Sequence, residues 1–182
     1  MQFLPLLEAS PSIKAQVRVL RNQPAVRSFM YSDHEISESE HAAWLQALVD
    51  NPRQTVFVVM MGERACGVVA LNAINVAHRS ADWAFYLDSA LQGKGVGSQV
   101  EFWLLDHAFS AAQLEKLNCE VLASNKAVIR LHQKFGFSVE GVRRQNVIKN
   151  GERIDVVLLG ITRSEWAAHR PAIAAVIDRL NR

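Results

Sequence analysis

The residues from Gln92 to Gly97, Gln92-Gly93-Lys94-Gly95-Val96-Gly97, put three glycines, an amide and a lysine side by side. The chemistry this arrangement suits is anion binding. Where a strand hands over to a helix, the first-turn N–H groups are unpaired and carry the partial positive charge of the helix N-terminus. Glycines let that backbone approach a phosphate with no Cβ in the way. Gln92, Gly93, Lys94, Gly95, Val96, Gly97 and the following Ser98 are therefore candidate phosphate-binding residues, although Lys94 could simply point to solvent. A P-loop would need a glycine four residues before Gly93-Lys94 and a Ser or Thr after it, and neither is present. A dinucleotide fingerprint has the spacing G-x-G-x-x-G, whereas this segment reads G-x-G-x-G.

A second set of chemistry-bearing residues lies downstream. Asn125 precedes an amphipathic segment that ends in Lys134-Phe135-Gly136-Phe137. It could cap a helix or hydrogen-bond a bound arm. Gly136 suits the left-handed position after a helix. His132 within that segment could give or take a proton near neutrality, or simply pack. Glu120 is a carboxylate in the otherwise apolar run of residues 117–122. It reads either as a general base or as a strand residue facing solvent or paired with a cation. A third cluster, residues 21–44, combines Arg21, Arg27, Phe29, Met30, Tyr31, His34, His41 and Trp44. Arginine suits phosphate or carboxylate, and aromatic faces suit a base or sugar ring.

These residues must be positioned by alternating strands and helices. Residues 1–7 read as a strand. Ser10-Pro11 is a helix start, and Pro24 disfavours helix at Gln23. Residues 25–30 read as a further short turn of helix. Ser37-Glu38-Ser39-Glu40 is a capping box ahead of a helix that Asn51-Pro52 stops. Residues 55–61 and 65–74 form an antiparallel hairpin about Gly62. Residues 81–87 make the strand that feeds the glycine turn, and a helix follows over 96–109. A strand over 117–122, a helix over 125–134 and two strands over 138–149 and 152–161 complete the pattern. The last pair is joined by Asn150-Gly151, a type I′ hairpin signal. Ser164 starts a final helix that Pro171 is expected to interrupt. The order implies an α/β (α+β) fold with a central mixed sheet, about seven strands, flanked by helices, with one parallel strand–helix–strand crossover.

Composition narrows the function classes. With 182 residues and 49% hydrophobic content, a single domain over 1–182 is expected. A net charge of +2 with no basic run argues against a nucleic-acid partner. No apolar stretch approaches the roughly 20 residues that cross a bilayer, and no signal peptide is recognisable, so a cytoplasmic location is expected. Cys66 and Cys119 stand apart, without CxxC spacing or clustered histidines. They read as core thiols, and no metal is expected.

The glycine turn is similar, at Gln92, Gly95 and Gly97, to the [QR]-x-x-G-x-[GA] pyrophosphate loop of the GCN5-related N-acetyltransferases. Residues 125–137 resemble that superfamily's N-x-x-A/S-x-x-x-Y-x-K-x-G-F segment at Asn125 and at Lys134-Phe135-Gly136-Phe137. His132 stands where the tyrosine is usual. The resemblance implies acetyl-CoA as co-substrate, held by Gln92–Ser98, Asn125 and Lys134. It also implies a backbone N–H among Phe85, Tyr86 and Leu87 as oxyanion donor and His132 as the acid that protonates the departing thiolate. The amine needs a base, for which Glu120 is the best carboxylate candidate, and no covalent enzyme intermediate is needed. The pattern R-N-x-x-x-V-R-x-x-M-Y-x-x-H-x-I-S-x-x-E-H-x-x-W, from Arg21 to Trp44, resembles the sugar-nucleotide N-acetyltransferases of the pseudaminic acid pathway. That implies a UDP-linked 4-amino-4,6-dideoxy sugar as acceptor and a homodimer. Arg21 and His41 would then contact the diphosphate, and Met30, Tyr31 and Trp44 would line a pocket for the C6 methyl. Two other readings stay open: an acetyltransferase of protein N-termini or a ribosomal protein, and a non-catalytic CoA-binding domain.

Overall fold

The computed structural model describes residues 1–180. Seven strands form one mixed sheet in the order β1-β2-β3-β4-β5-β7-β6. The chain divides into two compact units.

The first unit holds Met1–Ile74 and Trp83–Lys94. Strand β1 (Gln2–Pro5) pairs antiparallel with β2 (Thr55–Met61), which pairs antiparallel with β3 (Arg64–Asn75). The first strand stops at Pro5, short of the expected residue 7. Leu6–Glu8 turn instead as a 3-10 helix that drops Leu6 into the core, where its burial is worth more than two further strand residues. Helix α1 (Pro11–Asn22) begins as expected, with Ser10 Oγ accepting from Ile13 N and Pro11 at the first position. A short helix α2 (Pro24–Arg27) follows. Helix α3 (Glu38–Val49) opens on a complete capping box, Ser37 and Glu40 each bonding the other's backbone N–H. The core contains Leu6, Val17, Leu20, Leu48, Val56, Val58 and Val68.

The second unit holds Asn75–Asp82 and the chain from Gly95 onward. Strand β4 (Ser80–Leu87) contributes its first three residues here, pairing parallel with β5 (Lys116–Leu122) from Ser80↔Lys116 to Asp82↔Asn118. Helix α4 (Val96–Asp106) runs on into a π turn, His107–Ala111. Helix α5 (Lys126–Lys134) leads to the hairpin of β6 (Ser138–Lys149) and β7 (Glu152–Thr162). Its turn residues Asn150 and Gly151 have φ of 51° and 81°, as a type I′ turn requires. Helix α6 (Arg163–Leu180) runs through Pro171 without the expected interruption. Pro171 and Ala167, whose carbonyl loses its partner, are both exposed, so water can satisfy that oxygen.

Candidate active site

The glycine turn sits where the sequence placed it, between β4 and α4. Gly93 and Gly95 both take left-handed backbone conformations, with φ of 75° and 77°. Side chains cap the starts of α1, α3 and α5 at Ser10, Ser37 and Asn125, and Thr162 caps α6. Helix α4 has none: its N-cap is Gly95, and its first turn carries no acidic residue. Its first-turn amides are thus left for something other than a side chain, which fits a phosphate. Gln92 and Lys94 are exposed.

The approach to this turn is pinned by a residue the sequence reading missed. Asp88 is 4% exposed and accepts from Arg64, from Gln23 Nε2 at 3.3 Å and from Ala90 N at 3.1 Å. Gln23 returns the contact by accepting from Ser89 N at 3.2 Å. The visible signal was a carboxylate immediately before a helical turn, the position of an Asx cap that accepts from the amide two residues on. Beneath the end of β4, Gly67 of β3 leaves no room for a Cβ, which would lie 2.3 Å from the Tyr86 carbonyl oxygen. That close approach fixes the backbone of residues 85–87, the candidate oxyanion donors.

In the second unit, Asn125 Oδ1 accepts from Val128 N at 3.4 Å, so its acceptor caps α5 and its amide donors are the part left for a ligand. Lys134 is exposed at the end of α5. His132 is 2% exposed, tilted against the Phe137 ring, and its Nδ1 lies 2.9 Å from Glu101 Oε1. Glu101 on α4 is fully buried, and its Oε2 has no hydrogen-bond partner among the described residues. Burial pushes its carboxyl upward, against the pull of His132. Sequence reasoning overlooked Glu101, although a carboxylate between Val100 and Phe102 in an apolar helix was the clue. Glu120 is exposed on β5 and ion-paired with Arg143 of β6. Its setting matches the solvent-facing, cation-paired alternative.

The first unit contains a cavity of about 440 Å³, lined mainly by apolar side chains. Four of the five expected acceptor residues line it: Arg21, Met30, His41 and Trp44. Tyr31 does not; it is 48% exposed. The cavity wall also includes His34, Glu40, Phe85 and Tyr86. Arg21 donates Nη2 to the Ser32 carbonyl at 3.0 Å, while its buried Nη1 has no partner among the described residues. Burial lowers the Arg21 pKa. Glu40, the cavity's single carboxylate, is already spent. It accepts from Ser37 N at 2.7 Å and bonds His34 Nε2 at 3.0 Å. These bonds hold its pKa at about 2. Among the described residues no group of three or more His, Cys, Asp or Glu is disposed to hold a metal, and no helix is long and apolar enough to cross a membrane.

Comparison with known proteins finds similar chains and similar folds. The family model described as "Acetyltransferase (GNAT) domain" matches residues 6–138. The spermidine N(1)-acetyltransferase of Escherichia coli K12 is 26% identical over 152 residues, 84% of this chain and 82% of that protein. The acetyltransferase PseH of Campylobacter jejuni is 26% identical over 119 residues, 65% of this chain and 73% of that protein. The crystal structure of spermidine N-acetyltransferase from Vibrio cholerae, in complex with CoA and spermine, superposes with a TM-score of 0.83 at 23% identity, covering 91% of this chain and 97% of that one.

Proposed function

The chain belongs to the acetyltransferase (GNAT) domain family, and from that premise we propose that it moves the acetyl group of acetyl-CoA to the 4-amino group of a UDP-linked 4-amino-4,6-dideoxy sugar. The observation that carries the acceptor is the charge of the cavity. Arg21 offers an unpaired buried N–H, and the one carboxylate, Glu40, is bonded to Ser37 and His34. A polyamine carries several positive charges that a cavity would have to meet with carboxylates. A nucleotide sugar instead brings diphosphate for Arg21, and a methyl that the Met30 and Trp44 walls can cover. One buried methyl favours the deoxy sugar by about 1 kcal/mol.

Acetyl-CoA supplies an activated acyl thioester. The first-turn amides of α4, with Gln92 and Lys94, hold its pyrophosphate. Asn125 and Lys134 take the arm. A backbone N–H among residues 85–87 donates to the oxyanion as it forms. His132, its ring held by Glu101, gives the proton that the departing sulfur needs.

The spermidine-named relatives, matching over 84% of this chain, make spermidine the second reading. Both are tested by incubating the protein with acetyl-CoA and either a UDP-4-amino-4,6-dideoxy sugar or spermidine, and following thiol release. Turnover with the sugar nucleotide at least tenfold above that with spermidine is expected. Turnover with spermidine or peptides alone would overturn the sugar-nucleotide reading.

A further inference from the structure

We propose that His41 is the catalytic base that takes the proton from the acceptor amine, through its Nδ1. The proposal rests on the acetyl-transfer reading above but not on which amine is the acceptor.

The tautomer is fixed by a neighbour. His41 Nε2 lies 3.0 Å from the backbone carbonyl oxygen of Lys14. A carbonyl only accepts, so Nε2 carries the hydrogen and donates it, and in the neutral ring Nδ1 keeps a lone pair. No partner for Nδ1 is found among the described residues. The ring is 9% exposed, lines the acceptor cavity and tilts against Trp44 at 5.4 Å. Burial lowers its pKa below the ordinary histidine value. The Lys14 hydrogen bond works the other way, and Arg18 adds to the fall. His41 is therefore neutral at pH 7 and offers an acceptor. That departs from the contact with a diphosphate that the resemblance implied, because a lone pair repels phosphate oxygens.

His41, on α3, meets α1 close to where α1 meets the Tyr86 side chain of β4. The Lys14 carbonyl that holds His41 and the Val17 carbonyl that faces the Tyr86 hydroxyl at 3.5 Å are three residues apart. That is a rise of about 4.5 Å along the helix. Phe85 and Tyr86, from the segment whose amides are the candidate oxyanion donors, line the same cavity as His41.

The other titratable groups lining this cavity, or beside His41, are unfit for the task. Glu40, with a pKa of about 2, is too weak a base. His34 is held between Ser32 Oγ at 2.6 Å and Glu40 at 3.0 Å. Burial raises the Tyr86 phenol, so it stays protonated. Arg21 and Arg18 cannot accept a proton, and Lys14 donates its ammonium to the Leu7 carbonyl at 3.0 Å. In the step itself the amine nitrogen bonds the acetyl carbon and its N–H proton passes to Nδ1. The C–S bond breaks with its electron pair on sulfur, and sulfur takes a proton from His132. His41 then gives its proton to solvent, and His132 takes one back from solvent.

The test is His41→Gln, which keeps an N–H for the Lys14 carbonyl and removes the base. The assay amine is whichever the wild type acetylates, the UDP-4-amino-4,6-dideoxy sugar or spermidine. We expect kcat to fall about 100-fold and the acidic limb of kcat, lying below pH 6.5, to disappear. The melting temperature should stay within a few degrees of wild type, and the affinities for acetyl-CoA and for UDP within about twofold. A variant that keeps the acidic limb, or that loses UDP affinity while keeping kcat, overturns the base role. Independently of turnover, ¹⁵N shifts of the wild-type ring at pH 7 should show a protonated Nε2 and a bare Nδ1. The opposite tautomer, or an imidazolium, overturns it too. Wild-type protein that releases no thiol with any amine overturns the acetyl-transfer reading and this one together.

Discussion

Removing one member of a buried, hydrogen-bonded ionisable pair leaves the other without a partner and without water. Glu101 and His132 are such a pair, 0% and 2% exposed, and the stability of the α4–α5 contact depends on keeping both or neither. His132→Leu should therefore cost about 3–5 kcal/mol, because it strands the Glu101 carboxylate. The double change Glu101→Leu with His132→Leu should recover most of that loss, as urea unfolding would show. A double variant no more stable than the single one would mean that Glu101 is satisfied by something else. For the same reason, the proposed acid role of His132 is better probed with His132→Tyr, which restores the family's usual residue and offers a hydroxyl to Glu101. That a histidine stood at position 132 was plain in the sequence. That its ring nitrogen is committed to Glu101 was not, because the pairing joins helices 31 residues apart and no local pattern encodes it.

At the scale of elements, the local signals were the dependable ones. Ser10-Pro11, the Ser37–Glu40 box and Asn150-Gly151 each specify a conformation through contacts within four residues, and each formed as read. Non-local contacts escaped. The sequence did not disclose that Leu6 would leave the strand for the core, or that Asp88, Arg64 and Gln23 would clamp the approach to the glycine turn. The turn itself yields a prediction. Gly95 has φ 77°, so Gly95→Ala should cost about 1 kcal/mol in backbone strain. It should also tilt the first-turn amides of α4 and raise KM for acetyl-CoA by about tenfold. Gly62→Ala supplies the control, since Gly62 has φ 60° in a hairpin with open space about it. It should show the backbone-strain loss in thermal unfolding without the crowding that a Gly95 Cβ meets 3.0 Å from Leu180 Cδ1, and KM should be unchanged. If both glycine variants leave KM alone, the α4 N-terminus does not hold the pyrophosphate.

For the whole molecule, what separates the two acceptor readings is sign of charge. The fold and the acetyl-transfer family were legible because the glycine turn, Asn125 and the Lys134–Phe137 ending are short contiguous motifs. The cavity was legible only as a cluster, since it draws on α1, α3, β2, β3 and β4, and only folding shows that Tyr31 falls outside it while Glu40 and Tyr86 fall inside. The chain carries a net charge of +2, and the cavity adds Arg21 with a carboxylate already engaged. Such a field attracts an anionic acceptor and repels a polycation, and salt weakens both effects. Raising NaCl from about 20 to about 300 mM, which shortens the Debye length from about 20 to about 6 Å, should therefore raise KM for a UDP-amino sugar severalfold. Under the same change KM for spermidine, if it is turned over at all, should fall. Steady-state measurement of both at constant pH separates the cases. A spermidine KM that climbs with salt while the sugar-nucleotide KM stays flat would mean that carboxylates elsewhere in the molecule meet the acceptor, and the polyamine reading would take over.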